Sequence, residues 1–155
     1  MSKKMLFVLS RISIIVIALC GLCICGCIYP FIVSLGGLEK GSEVIMWCQL
    51  IFYWVSAIPC FIILGLAWRV SASFKGELFT LKNAKCFKIS SILLLTDAIY
   101  FFIGNAVFMF MGYNPFAILF FLLTVTALAV ALALGAAGYY VVKAAEIREE
   151  NEEYI

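Results

Sequence analysis

Four stretches of this chain are longer and more continuously apolar than the segments of a water-soluble domain. They cover residues 12–35, 44–70, 89–111 and 115–142. A bilayer core about 30 Å thick is crossed by roughly 20 apolar residues in a helix, and each stretch reaches that length. Inside lipid only helices or closed barrels satisfy every backbone N–H and C=O, and these runs are too long for strands. The chain is therefore predicted to be an all-α integral membrane protein, a four-transmembrane-helix bundle forming a single domain over residues 1–155. Composition agrees: 66% of the residues are hydrophobic and 13% are charged, against about 45–50% and 25% in a soluble domain.

The same composition narrows the chemistry. There is no His, so imidazole is missing both as a metal ligand and as an acid–base group. A net charge of +2 is too small and too scattered for direct nucleic-acid binding. No metal or cofactor is predicted.

Lys and Arg set the expected direction. Lys3, Lys4 and Arg11 precede the first span, and Lys143 and Arg148 follow the fourth. Arg69, Lys75, Lys82, Lys85 and Lys88 fall in or beside the connection 71–88, whereas the other two connections hold only Lys40. Positive loops stay in the cytoplasm, which predicts a cytoplasmic N-terminus, C-terminus, connection 71–88 and tail 143–155. Trp47 and Trp68 stand near opposite ends of the second span, where aromatic belts form. The opening "KKMLFVLSR" resembles the basic part of a signal peptide. However, the apolar run outlasts the roughly 7–15 residues of such a segment, and no A-x-A-like site closes it. Cys27 is followed by "IYPFIV", apolar where a lipoprotein would turn polar.

The stretch "CGLCICGCIYP" holds Cys20, Cys23, Cys25 and Cys27. On a helix Cys20, Cys23 and Cys27 share a face and Cys25 points elsewhere, so four thiolates cannot converge on one metal. Nothing basic lies nearby to activate a thiolate. The expectation is that these small residues, with Gly21 and Gly26, let neighbouring helices approach closely.

Asp97 is the most informative single residue. An acid within a span usually faces the bundle or a cavity. Asp97 lies nine residues past Lys88, about 13 Å along a helix axis. Ser90, Asp97 and Gly104 recur every seven residues, and Asn105 lies close to that face. Counting equal depths inward from the basic ends brings Cys20, Cys60, Leu134 and Gly135 to the same layer. On the second span Gln49, Tyr53, Ser56 and Cys60 form a polar stripe. Asp97, Asn105, Cys20, Cys60 and Ser56 are thus the candidate intramembrane polar site. It is either a small proton-, ion- or ligand-responsive pocket, or a protonated acid whose hydrogen bonds hold the helices in register. No residue is assigned a catalytic role.

Pro30 and Pro59 each remove a backbone hydrogen bond and are expected to interrupt their helices. Ala127, Ala131 and Gly135 form a small-residue ridge, suited to packing within the bundle or to a homo-oligomer through the fourth helix. In the connection, Thr80 is expected to cap the third helix, with Asn83 three residues on in a weakened capping box. Phe79 is expected to tuck beneath the bundle as a hydrophobic staple. The acidic tail, with Glu149, Glu150, Glu152 and Glu153, is expected to prolong the fourth helix and to face the basic connection or a soluble partner.

"GELFTLKNAKCFKISSILLL" is similar to the G-x-x-F-[ST]-x-x-N-x-x-x-[LF] signature of a family of small four-span bacterial membrane proteins, domain of unknown function 2975. Gly76, Phe79, Thr80 and Asn83 carry that match. The tail "AAEIREENEEYI" resembles the family ending A-x-x-[LI]-x-x-E-N-[ED]-L-T-I through Glu150, Asn151, Glu152 and Ile155, with Glu153 and Tyr154 in place of Leu-Thr. The resemblance implies no catalysis. It implies a bacterial cytoplasmic membrane, and a small helix-turn-helix transcriptional regulator as cytoplasmic partner.

Three functions are weighed on these grounds. The first is a non-enzymatic sensor or accessory protein presenting its cytoplasmic face to a soluble partner. The second is a small ion-coupled transporter or channel subunit using Asp97. The third is a membrane thiol oxidoreductase, which lacks a second external cysteine pair to relay electrons.

Overall fold

Each apolar stretch forms one helix in a computed structural model, which describes residues 3–36, 43–75, 79–112 and 117–153. The helices are α1 (Lys3–Gly36), α2 (Glu43–Ala72), α3 (Leu81–Phe110) and α4 (Ala117–Glu153), with a 3₁₀ turn at Ser73–Lys75 after α2. No strand occurs among the described residues. All four are long and apolar enough to cross a membrane. They outrun the predicted spans because α-helical hydrogen bonding continues into the polar flanks once a cap allows it. Both Pro30 and Pro59 lie inside continuous helices. The expected interruption does not occur, since a helix can lose one bond to proline and continue.

The two connections with described residues explain where α3 starts and stops. Thr80 is extended, with φ −124° and ψ 148°, and its side chain accepts from the Asn83 N–H at 3.3 Å. This is an N-cap, and it starts α3 eight residues before the apolar run. At the other end the Gly112 N–H donates to the Met109 carbonyl at 3.0 Å, with Gly112 at φ 79°. Only a residue without Cβ enters that left-handed region freely, and it stops the helix.

The interior is inverted relative to a soluble domain. Buried side chains include Gln49, Ser56, Ser71, Asn83, Ser90, Asn105 and Thr124, together with small residues such as Ala84, Ala98, Ala131 and Ala145. The exposed ones include Ile24, Trp54, Phe110, Ile118 and Leu132. Water would penalise such a surface over its whole length. Lipid would not, and in lipid small and polar residues are what draws helices together.

α3 is the spine of the arrangement. Its residues Asn83, Ser90, Asp97 and Gly104 repeat every seven positions, and three of them have contacts on the α2 side. Ser73, after α2, reaches Asn83, Ser56 reaches Asp97 and Phe52 meets Gly104. One residue further round, Ala84, Ser91, Ala98 and Asn105 make a second seven-residue series beside the first. Ser91 Oγ donates to the Ala131 carbonyl of α4 at 2.7 Å. A Cβ on Gly135 would sit 3.0 Å from Ser91 Oγ, and one on Gly138 would sit 3.2 Å from the Phe87 Cβ. α4 answers with its own buried series of Thr124, Ala131, Gly138 and Ala145. These positions pair α3 and α4 antiparallel at close range.

α1 packs on α2 and on the 3₁₀ turn, and α4 packs on α3. Among the described residues the backbones of α1 and α4 make no close approach. By backbone approach the order along the chain is also the order of packing, and among the described residues the Tyr53 ring of α2 reaches past it to Phe120 of α4 at 5.6 Å.

Candidate functional site

The candidate site is built where the polar stripe of α2 meets the first series of α3. Ser56 Oγ donates to Asp97 Oδ1 at 2.9 Å. Ser56 is buried and Asp97 half-buried. Cys60, one turn beyond Ser56, lies within electrostatic range of Asp97 and of Cys25 on α1. Tyr100, one turn along α3, is also within range of Asp97. A hydroxyl donor thus holds one carboxylate oxygen inside the bundle, and two polarisable groups flank it.

A second polar contact lies about two turns away. Asn105 is buried, its Nδ2 donates to the Phe101 carbonyl at 2.8 Å, and its Oδ1 accepts from the Tyr53 hydroxyl at 3.5 Å. Between the two contacts sits an aromatic wall. The Phe52 ring stacks on Tyr100 and Phe101, with centroids 4.8 and 5.7 Å away, and meets Phe108 edge-on at 5.5 Å. Tyr53 and Phe101 both reach Phe120 of α4, at 5.6 and 5.7 Å. Gly104 leaves room for Phe52: a Cβ there would overlap its ring.

Of the five expected residues, Ser56 and Asp97 are joined by a hydrogen bond, Cys60 lies within electrostatic range of Asp97, and Asn105 lies about two turns away against Tyr53. Cys20 does not join them. It is exposed, and the half-buried Cys25 is the α1 cysteine within electrostatic range of Cys60. Depth is not the reason, since a Cβ on the neighbouring Gly21 would sit 3.6 Å from the Phe61 ring of α2. Five residues along a helix turn a side chain by about 140°, so Cys20 and Cys25 cannot both face α2. The expected crowding at residues 20–27 is likewise confined to Gly21. Cys23 and Cys27 are exposed, and a Cβ on Gly26 would meet nothing within 4 Å. Gly135 is not in the Asp97 layer either, because it faces Ser91, about 9 Å earlier along α3.

At the basic end, the connection carries a second polar assembly. Asn83 is buried, and Ser73 Oγ donates to its Oδ1 at 3.1 Å. In a capping box the Asn83 side chain would reach back to the Thr80 N–H. Here its carbonyl is instead a latch for the 3₁₀ turn. Phe79 is 56% exposed, so the expected staple is absent. The residue it would pack on is Ala84, which is small and already covered by Gly138. Gly76 and Ile155 lie outside the described residues. Glu150 is exposed, and Asn151 and Glu152 belong to the last turn of α4.

Two groups that the sequence kept apart meet at that same end. The Arg11 guanidinium lies 4.0 Å from the Trp68 ring centroid and 4.7 Å from that of Phe7. Charge and an aromatic belt at one depth were visible in the sequence, but their pairing across α1 and α2 was not. No group of three or more His, Cys, Asp or Glu that could hold a metal is found among the described residues.

Fold and site together define a class: an antiparallel helical chain with an apolar exterior, a polar spine and one internal acid. Compared with known proteins, it matches no family model, no curated protein and no solved structure.

Proposed function

We propose that the chain is a multi-pass protein of the bacterial cytoplasmic membrane with both termini and the lysine-bearing connection in the cytoplasm. In this reading it is a non-enzymatic sensor or accessory protein that engages a small soluble partner, such as a helix-turn-helix regulator. The bacterial setting and the kind of partner follow from the resemblance of residues 76–95 and 144–155 to the domain of unknown function 2975.

The observation that carries the reading is the length of α4. Its 37 residues extend about 55 Å, roughly 25 Å more than a hydrocarbon core. The Gly138 contact with Ala84 and Lys88 fixes which end overhangs, the one bearing exposed Lys82, Lys85 and Lys88. Lys143, Glu146 and Glu150 are exposed there as well. A helical rod of mixed charge beside a capped basic turn supports docking of a soluble protein. The test is crosslinking from native membranes with residues 144–155 present or deleted. A partner lost on deletion supports the reading, and recovery of the same proteins from both removes it.

The Ser56–Asp97 bond favours a second reading, an ion-coupled transporter or channel subunit. Asp97→Asn in reconstituted vesicles decides between them. Loss of flux in a stably folded variant would establish transport, and unchanged flux would discard it.

A further inference from the structure

We propose that Asp97 and Tyr100, one turn apart on α3, bind a lipophilic organic cation that enters sideways from the lipid. This ligand class deepens the transport reading above and rests on its use of Asp97. Two contacts place the acid and the ring side by side. Ser56 of α2 holds Asp97 Oδ1 at 2.9 Å, and Phe52, one turn before Ser56, stacks on the Tyr100 ring with centroids 4.8 Å apart. The two contacts are adjacent rungs of one antiparallel interface. Residues three apart on a helix are neighbours, with about 5–6 Å between their Cβ atoms. α4 packs on the other series of α3, through Ser91 and Ala131. The Asp97 side stays partly open: Asp97 is half-buried, Tyr100 is 37% exposed and Cys60 is exposed.

The countercharge that Asp97 calls for is not supplied by the chain's own spans. Every Lys and Arg among the described residues lies at the basic end, and the nearest on α3, Lys88, is nine residues away, about 13 Å. Among the described residues Asp97 Oδ2 accepts no hydrogen bond and pairs with no cation. Ser56, Cys60 and Tyr100, which lie against Asp97 or within its electrostatic range, bring hydroxyls and a thiol but no positive charge. A second copy of the chain would bring the same spans and no cation either. Hard inorganic cations take about six oxygen ligands, and this face offers one carboxylate and two hydroxyls. An organic cation asks for less: one fixed negative charge, an aromatic ring for a cation–π contact and apolar surroundings for its body. Ile103, exposed one turn beyond Tyr100, and the lipid itself supply the last. A cationic partner helix is disfavoured, since close helix approach asks for small residues and this face projects Tyr100 and Ile103.

The test is equilibrium dialysis of the full chain in detergent micelles with tetraphenylphosphonium, against triphenylphosphine oxide as an uncharged aromatic control. Wild type is expected to bind the cation above the micelle background and in preference to the control. Asp97→Asn should weaken binding at least about tenfold, and Tyr100→Leu about fivefold. Tyr100→Phe keeps the ring and should lose less than Tyr100→Leu, so the site is read even where Asp97→Asn disturbs the fold. Glu146→Gln, of equal charge change at an exposed position on α4, should leave binding unchanged. Equal binding of cation and control, full binding in Asp97→Asn, or an equal loss in Glu146→Gln would overturn the site. Displacement by sodium ion at matched concentration would assign it to an inorganic cation and overturn the organic one. Binding that depends on Asp97 without any flux in vesicles would keep the site and defeat transport, and flux without binding would do the reverse.

Discussion

Ser56 on α2 donates its hydroxyl proton to the Asp97 carboxylate on α3 at 2.9 Å, and this bond links two helices in the interior. Hydrogen bonds between membrane helices average about 0.6 kcal/mol and reach about 1.7. Ser56→Ala is expected to destabilise the folded chain within that range. Asp97→Asn keeps an acceptor for the hydroxyl and should cost less than Asp97→Leu. Unfolding in mixed micelles checks both, and the double variant Ser56→Ala/Asp97→Leu should cost less than the sum of its parts.

Gly104→Ala places a methyl group in the space of the Phe52 ring. Overpacking of this kind costs about 1–3 kcal/mol. Because Phe52 also stacks on Tyr100 and Phe101, the ring cannot move aside without losing those contacts. Phe52→Leu in the Gly104→Ala background is expected to recover part of the loss, measured as a rise in the detergent unfolding midpoint.

Two glycines provide a matched contrast. Gly138→Val pushes into the Phe87 Cβ at 3.2 Å and the Ala84 carbonyl at 3.4 Å, separating α3 from α4 at a cost of about 1–3 kcal/mol. Gly26→Val meets no atom within 4 Å of its Cβ and should stay within about 0.5 kcal/mol of wild type. Equal effects at the two positions would contradict the packing described.

Thr80→Ala removes the oxygen that accepts the Asn83 N–H, and loss of an N-cap costs about 1 kcal/mol. Thr80→Ser should be close to neutral. Amide hydrogen exchange across the first turn of α3 reports the difference locally, with faster exchange expected in Thr80→Ala only.

Most of the helical layout was legible because lipid solubility needs roughly 20 apolar residues per crossing, a pattern read without tertiary knowledge. The Asp97–Ser56 cluster was legible for a related reason, since polar residues are rare enough in a span that those at one depth on facing stripes tend to meet. Side-chain direction was harder to read. Cys20 was placed by depth alone and is exposed, whereas Cys25 is half-buried and lies within electrostatic range of Cys60. Gly135 was placed by taking Lys143 to mark the same level as Lys88, whereas α4 overshoots and sets Gly138 beside Lys88. Phe79 followed a capping rule that presumes a large residue at the fourth helical position, and Ala84 is small. The contact between Arg11 and Trp68 needed two helices in space, which no spacing along one chain encodes.

The serial order of packing has a mechanical consequence. Because the α1 and α4 backbones do not approach each other, a displacement imposed on the first helix arrives at the last only by crossing the α1–α2 interface and then either the α2–α3 and α3–α4 interfaces or the direct contact of Tyr53 on α2 with Phe120 on α4. The first is held by Gly21 on Phe61 and by the Arg11 stack. The α2–α3 interface carries the hydroxyl–carboxylate bond at its centre, so a single proton sits on the longer of the two routes by which strain crosses the molecule.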